Sequence, residues 1–272
     1  MSRILFIVLL FSLPFGKGQG WAQGPIVLIE TNYGAIKMKL YNETPLHRDN
    51  FLNLIEKHFY DSLLFHRVIN TFMIQGGDPV SKNAAPEKFL GEGDVGYTIP
   101  AEFNQKLFHK KGALAAARNG DEVNPEQASS GCQFYIVQGK VFTDSLLTVL
   151  EKRVTKMKAY NKVVRNAENK ILFDKFNLYM QKENIDSLKI TKTKIDQLTE
   201  KEEGNMAPYK FSEEQRKTYT TIGGTPHLDG SYTVFGEVIE GMDVIDKIAA
   251  VPRNGFDRPL TDVIMKISIL KK

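Results

Sequence analysis

The sequence predicts a mainly β protein: a closed antiparallel barrel with two helices and an inserted α-helical subdomain. Three observations predict this fold. Many short apolar or alternating segments are separated by turn-forming residues, as the strands of a barrel are. Two other segments carry apolar residues at three- and four-residue spacing, which is typical of helices. Residues 145–222 differ in character from the rest, because they are rich in Lys, Glu, Asn and Leu.

The composition is that of an ordinary globular protein. The chain has 272 residues, of which 42% are hydrophobic and 25% are charged, so it can bury a substantial core and shows neither disorder nor fibrous bias. Cys132 is the single cysteine and cannot form a disulfide within the chain, so packing must supply the stability. We interpret Cys132 as a small buried residue, and a reactive thiol is the alternative.

Residues 1–22 resemble a secretory signal peptide. Arg3 precedes an apolar run from Ile4 to Phe15, and small residues then lead to Ala22. A membrane anchor is the alternative, but the run has 12 residues, whereas about 20 are needed to cross a bilayer. We therefore expect an exported protein that begins near Gln23, with no stable membrane insertion after cleavage. The periplasm is the expected compartment, and secretion is the alternative.

The barrel segments begin with a hairpin, in which 26–31 and 36–40 flank a turn that contains Gly34. Pro45 suits the first position of a helix. The apolar face predicted for this helix comprises Phe51, Leu54, Ile55 and His58. The remaining predicted strands lie within 64–69, 73–75, 112–118, 134–138, 233–238 and 263–269, and a second helix covers 243–249.

The segment 145–222 predicts helices inserted in a loop of the barrel. Its first helix carries one apolar stripe, formed by Leu147, Leu150, Val154, Met157, Tyr160, Val164, Ala167 and Ile171. Residues 184–187 break this pattern, Ile195 and Leu198 indicate a second helix, and Ser212 with Gln215 predicts a capping box that opens a third. We interpret the stripe as a seam between helices or a contact with the barrel, rather than a groove for clients.

The charge of the chain is uneven. The net charge is +4, and residues 145–222 alone hold 16 Lys and Arg against 11 Asp and Glu. A basic segment can attract nucleic acid, anionic lipid or acidic proteins. Here the positive charges are interleaved with negative ones and with few aromatic residues, so we expect a solvated surface and no nucleic-acid partner.

The sequence offers no metal or cofactor motif. The histidines lack ligand-like spacing, and only one cysteine could assist them. They are His47, His58, His66, His109 and His227. The glycines at 91, 93, 223 and 224 lack the strand-before, helix-after context of a phosphate loop, so we interpret them as turns. We expect no cofactor.

Residues 65–78 (FHRVINTFMIQGGD) are the most informative stretch, because they place one cation among aromatic, thioether and amide side chains. This stretch resembles the signature of the cyclophilins, the family of peptidyl-prolyl cis-trans isomerases. The runs 131–136 (GCQFYI) and 228–236 (LDGSYTVFG) match the family in the same order. The resemblance implies an eight-stranded barrel with a helix capping each end, formed by residues 23–144 and 223–272, with 145–222 as the insert.

The resemblance also implies the site. It places the catalytic arginine at Arg67, which is otherwise interpreted as an ordinary surface or salt-bridged residue. It implies a proline pocket whose residues could equally be barrel core: Phe72, Met73, Tyr135 and Leu228. Gln75 would bind the substrate backbone or simply cap its strand neighbours, His66 would form part of the wall, and Gln133 and Ala117 would line the extended peptide.

Two positions depart from the family pattern. His227 stands where many members carry a tryptophan before Leu-Asp-Gly, and Tyr232 where eukaryotic members often carry a histidine. We still place both at the substrate-binding site. The first change removes an indole donor that binds cyclosporin in the family, so the resemblance implies weak inhibition by that drug.

The sequence therefore predicts an exported peptidyl-prolyl cis-trans isomerase that acts on proline-containing polypeptides. Rotation about an X-Pro bond makes and breaks no bond, so it requires no nucleophile, metal or cofactor. The rival hypothesis is a non-catalytic peptide-binding or chaperone module that uses the barrel groove and the basic insert. The presence of Arg67, Phe72 and Gln75 favours the enzyme. We expect a monomer.

Overall fold

The computed structural model describes residues 24–272, and the predicted signal peptide lies outside them. Ten strands and six α-helices form this part of the chain. The strands are β1 (Ile26–Thr31), β2 (Gly34–Leu40), β3 (Leu63–Ile69), β4 (Met73–Gly76), β5 (Thr98–Ile99), β6 (Ala113–Ala116), β7 (Ser129–Ser130), β8 (Phe134–Val137), β9 (Val234–Glu240) and β10 (Ile264–Lys271). The helices are α1 (Pro45–Glu56), α2 (Asp144–Arg165), α3 (Lys170–Gln181), α4 (Ile185–Gly204), α5 (Glu213–Thr221) and α6 (Met242–Ala249).

Eight of the strands close into an antiparallel barrel, as predicted. Their order around the barrel is β1-β10-β3-β4-β8-β6-β9-β2, and β5 and β7 form a separate two-stranded sheet. The predicted hairpin is present, with Ile29 opposite Ile36 across β1 and β2. Because closure pairs both edges of every strand, this arrangement leaves no free sheet edge in the barrel.

The side chains of the barrel strands separate into two faces with a period of two. Ile74 of β4 and Ile136 of β8 belong to the interior core, which α1 and α6 also cover. Met73, Tyr135 and Val137 belong to a second apolar cluster on the other face of the same strands. Successive side chains of a strand point to opposite faces, so the second cluster lies outside the barrel interior.

Helix α1 begins as predicted but ends earlier than its predicted apolar face. Pro45 occupies the first turn, and Phe51, Leu54 and Ile55 are buried. His58 lies beyond the helix, with φ 55° and an exposed side chain that contacts Asp61. The prediction that His58 continues the buried face was therefore wrong, because a left-handed residue ends the helical periodicity.

The four helices α2–α5 lie between β8 and β9 along the chain, where the sequence predicts helices. The first predicted helix is two helices, because α2 ends at Arg165. Asn166 adopts an extended conformation and its side chain accepts a hydrogen bond from the backbone N–H of Glu168. Ile171 belongs to α3 and is 69% exposed, so it does not continue the buried stripe. The predicted capping box at Ser212 and Gln215 is present and opens α5.

The apolar residues of α2–α5 form both contacts that the sequence suggested. Val163, Phe173 and Ile195 are the buried centre of a seam between α2, α3 and α4. Leu147 and Tyr219 pack with Phe108, which precedes β6, and so join α2 and α5 to the barrel. Among residues 24–272 no helix is both long enough and apolar enough to cross a bilayer.

Candidate active site

The strand register places the predicted site residues side by side on the outer face of the barrel. Arg67 of β3 is opposite Gln75 of β4, and Gln75 is opposite Tyr135 of β8. Tyr135 is in turn opposite Ala115 of β6. The register therefore brings a cation, an amide and a phenol into one row across three neighbouring strands.

This row borders a cavity of about 320 Å³. The cavity is lined by nine of the residues that the sequence predicted: His66, Arg67, Phe72, Met73, Gln75, Ala117, Tyr135, Leu228 and Tyr232. Five residues that the sequence analysis did not select line it as well: Phe89, Leu90, Gly91, Glu92 and Arg118. The walls thus combine apolar and aromatic side chains with two guanidinium groups, those of Arg67 and Arg118.

Arg67 extends along the cavity and is held at two points. Its Nη1 lies 3.4 Å from Oε1 of Gln75, and its Nε lies 3.6 Å from Oδ2 of Asp257. Asp257 also binds Arg253, at 3.3 Å. The Arg67 side chain stays 42% exposed, so part of the guanidinium faces the cavity and solvent. A fixed guanidinium offers several N–H donors in one plane.

Gln75 and Gln133 form a hydrogen-bonded pair beside Arg67. The Gln75 amide donates to Oε1 of Gln133 at 3.0 Å, and the Gln133 amide donates to the carbonyls of Gly91 and Gly93 at 2.9 and 2.8 Å. Gln133 does not line the cavity itself. It lines a neighbouring, more polar groove of about 750 Å³, together with Gln75 and Ala117. Gln133 therefore fixes Gln75 between the two depressions.

Tyr135 forms the floor of the cavity, and its hydroxyl is bound within the protein. The Oη lies 3.0 Å from Nε2 of the buried His109, whose Nδ1 lies 2.9 Å from Oδ1 of Asp229. Since a carboxylate only accepts hydrogen bonds, Nδ1 donates to Asp229, and a neutral ring with its proton on Nδ1 accepts from the tyrosine at Nε2. Burial raises the pKa of Tyr135 well above its usual value. The phenol therefore stays neutral.

Asp229 connects this arrangement to the helical insert. Its Oδ2 accepts a hydrogen bond from the Tyr219 hydroxyl at 2.7 Å and from the Gln215 amide at 3.3 Å. Both donors belong to α5. Sequence reasoning treated His109 as a solitary histidine, and its link to Asp229 could not be found, because 120 residues separate the two partners.

His227 and Tyr232 contact different residues of the apolar wall. The His227 ring stacks on Phe72 with centroids 5.7 Å apart, but His227 is not among the residues that line the cavity. Tyr232 lines it, meets Tyr135 edge to face at 6.0 Å and carries the Arg118 guanidinium over its own ring at 4.5 Å. Burial lowers the pKa of His227 to about 4, so this ring is neutral at pH 7.

His66 lines the cavity. It is 2% exposed, and neither ring nitrogen has a hydrogen-bond partner among the described residues. Burial lowers the pKa of His66 to about 4, so the imidazole is neutral at pH 7. Cys132 is buried, and burial raises the pKa of its thiol to about 11. This environment matches a packed residue, not an activated thiolate. No cluster of potential metal ligands occurs within residues 24–272.

The comparison with protein families decides the identity. The sequence model described as "Cyclophilin type peptidyl-prolyl cis-trans isomerase/CLD" matches residues 26–195 and 205–269. The chain belongs to this family. It is thus a cyclophilin-type peptidyl-prolyl cis-trans isomerase, as the three sequence runs predicted.

Bacterial relatives align with this cyclophilin over most of its length. A protein of Staphylococcus aureus, provisionally named a peptidyl-prolyl cis-trans isomerase, is 29% identical over 246 residues, which cover 90% of this chain and 91% of that protein. A Streptococcus pyogenes protein, provisionally named a bifunctional phosphatase/peptidyl-prolyl cis-trans isomerase, is 30% identical over 246 residues. That match covers 89% of this chain and only 38% of the longer protein.

Solved structures show the same fold. A cyclophilin-type peptidyl-prolyl cis-trans isomerase of Cryptosporidium parvum superposes with a TM-score of 0.53 at 20% identity, covering 91% of this chain and 98% of that one. The same protein in the presence of the dipeptide Ala-Pro gives a TM-score of 0.52 at 19% identity, with 91% and 99% coverage. The cyclophilin barrel is therefore shared, at a sequence identity that supports the fold alone.

Proposed function

We propose that this cyclophilin catalyses rotation about X-Pro bonds by holding the proline ring in the apolar cavity while Arg67 stabilises the twisted amide. The observation that carries this proposal is the position of Arg67, half-exposed beside the buried thioether and phenol of Met73 and Tyr135. The Ala-Pro dipeptide studied with the Cryptosporidium protein supports a proline-containing substrate for this chain as well.

The chemistry of the rotation explains why such a cavity is sufficient. Twisting the amide removes its resonance and creates a barrier of about 18–20 kcal/mol. The catalyst must bind the twisted form better than either planar form, and each factor of ten in rate needs about 1.4 kcal/mol of this preference. In the twisted form the prolyl nitrogen regains its lone pair, so it can accept a hydrogen bond that it could not accept when planar.

Arg67 is suited to donate that hydrogen bond. Gln75 lies 3.4 Å from its Nη1 and Asp257 lies 3.6 Å from its Nε, so both groups orient the side chain, while the other N–H groups remain available for a ligand in the cavity. A donor that is already oriented needs no rearrangement when the amide twists. The Gln75–Gln133 pair lies next to it and offers amide groups that hold the substrate backbone.

The role of Arg67 is tested by measuring kcat/KM for isomerisation of an X-Pro peptide. Loss of one preorganised donor lowers enzymatic rates roughly 10²–10³-fold, and we expect a loss of this size for Arg67→Ala. Arg67→Lys keeps the charge but loses the planar fork, so we expect an intermediate rate. Arg253→Ala is the control, because Arg253 binds the same Asp257 but does not line the cavity. An Arg67→Ala enzyme as active as the control would refute the mechanism.

We further propose that the clients are exported proteins that fold in the periplasm, with residues 1–22 as a cleaved signal and 145–222 as an inserted helical subdomain. The support is the charged start, apolar run and small-residue end of the N-terminal sequence. N-terminal sequencing of protein from a periplasmic fraction should give a start near Gln23. A start at Met1, or protein found only in the cytoplasm, would contradict export.

A further inference from the structure

Two large aromatic side chains are exposed beside the cavity on the side of Arg67. Phe89 is 55% exposed and Phe256 is 71% exposed. Their rings meet edge to face, with centroids 5.5 Å apart. We call these two residues the aromatic patch. Exposed phenylalanine rings that pack on each other at the edge of a ligand cavity are typical of interaction sites.

The aromatic patch is continuous with the cavity. Phe89 lines the cavity, as does its neighbour Leu90. Phe256 precedes Asp257, whose carboxylate contacts Nε of Arg67 at 3.6 Å. A peptide whose proline occupies the cavity would therefore extend over the patch as it leaves on this side.

The loops that carry the patch are held together by a buried guanidinium. Arg258 is 4% exposed and donates to the carbonyls of Ala84, Ala85 and Lys88 at 3.0, 2.6 and 3.1 Å. Arg258 follows Phe256 by two residues and Lys88 precedes Phe89, so these bonds connect the two segments that carry the rings. A fixed apolar surface loses little entropy when a ligand binds to it.

We propose that Phe89 and Phe256 form a subsite for a bulky apolar side chain of the residue that flanks the proline, so that the enzyme selects such clients. This proposal rests on the proposed function. The aromatic patch indicates the chemistry of the ligand. Contact with an aliphatic or aromatic group would remove the exposed surfaces of the two phenylalanine rings from water, which is favourable. We expect a preference of roughly tenfold in kcat/KM for Leu or Phe over Ala, which corresponds to about 1.4 kcal/mol.

Two peptide series test the subsite, one with Ala, Leu or Phe before the proline and one with the same residues after it. Isomerisation is measured by NMR exchange, because a protease-coupled assay would impose its own preference on the flanking residue. Wild type should show the tenfold preference in one series. Phe256→Ala and Phe89→Ala should lower the ratio of kcat/KM for the bulky peptide to that for the alanine peptide to below three. The ratio within each variant cancels any loss of folded enzyme.

Leu260→Ala is the matched control, since Leu260 lies in the same loop as Phe256 and is 68% exposed but is not part of the Phe89–Phe256 ring pair. It should retain the wild-type ratio. A wild-type enzyme without a preference in either series, or a preference that survives in both phenylalanine variants, overturns the subsite. If the alanine peptides are isomerised in an Arg67-dependent manner in that case, the proposed function stands and only the subsite fails. If no peptide is isomerised, the proposed function itself fails.

Discussion

The hydroxyl of Tyr219 should contribute measurably to stability, because it forms a buried hydrogen bond between helix α5 and Asp229. Tyr219 has no exposed surface, and its hydroxyl donates to Oδ2 of Asp229 at 2.7 Å. Tyr219→Phe removes this bond and keeps the aromatic ring. The ring keeps its contacts with Phe108 and Phe211, at centroid distances of 5.6 and 5.7 Å, so no cavity opens.

The size of the effect follows from the charge of the acceptor. A hydrogen bond to a charged group contributes about 1.5–3 kcal/mol net. Asp229 keeps its other donors, Gln215 and His109, so its carboxylate is not left without partners. We therefore expect the free energy of unfolding to fall by about 1.5–3 kcal/mol. For a chain of this size, such a loss lowers Tm by about 3–6 °C.

Urea unfolding followed by circular dichroism measures this loss as a lower midpoint at an unchanged m-value. Tyr160→Phe is the matched control, because its hydroxyl also donates to a carboxylate, Glu122 at 3.1 Å, but at the exposed surface. We expect a loss below about 1 kcal/mol there, as for other exposed interactions with a charge. Equal losses in the two variants would refute the reasoning that burial makes the Tyr219 bond strong.

Two further predictions concern the stability of two glycine variants and the pH dependence of the protein's stability. Gly77→Ala should lower the free energy of unfolding by more than about 2 kcal/mol, because Gly77 has φ +92° and an added Cβ would lie 2.2 Å from the carbonyl of Cys132. Gly96→Ala, at φ +80° with open space around it, should cost about 1 kcal/mol, and equal losses would contradict the steric argument. Burial lowers the pKa values of His66 and His227 to about 4, so between pH 6.5 and 4 the unfolded chain binds protons that the folded chain does not, and stability should fall as the pH falls through this window. Urea midpoints at pH 7 and pH 5 test this, and a His66→Gln, His227→Gln double variant with an undiminished pH dependence would contradict the assignment.

Local patterns in the sequence were sufficient for most elements of the barrel. The period of two predicted the β1–β2 hairpin, and Pro45 predicted the start of α1. The capping box at Ser212 was equally local, since its partner Gln215 is three residues away. Each of these signals depends on residues within one helical turn or one strand. A single sequence is therefore sufficient to show them.

Local patterns were misleading at the end of α2, because the same apolar spacing fits one long helix and two consecutive helices. The apolar residues after Arg165 continue at three and four, and the sequence therefore predicted one long helix. Asn166 instead caps the following turn, and Asn169 donates to the free carbonyl of Val163 at 2.9 Å. Side-chain hydrogen bonds of this kind compete with the helix at its end, and periodicity alone does not contain them.

By itself, the sequence determined the barrel and the family and pointed to Arg67, Gln75 and Tyr135 as site candidates, because each depends on short motifs and on the alternation of strands. The strand register of the structure decided that these three residues form one row. Only the tertiary structure decided that His109 and Asp229 hold the Tyr135 hydroxyl and that Phe89 meets Phe256 beside the cavity. These partners are separated by 26 to 167 residues in the chain. Contacts over such separations arise from the closure of the barrel and the packing of its loops, which no local pattern encodes.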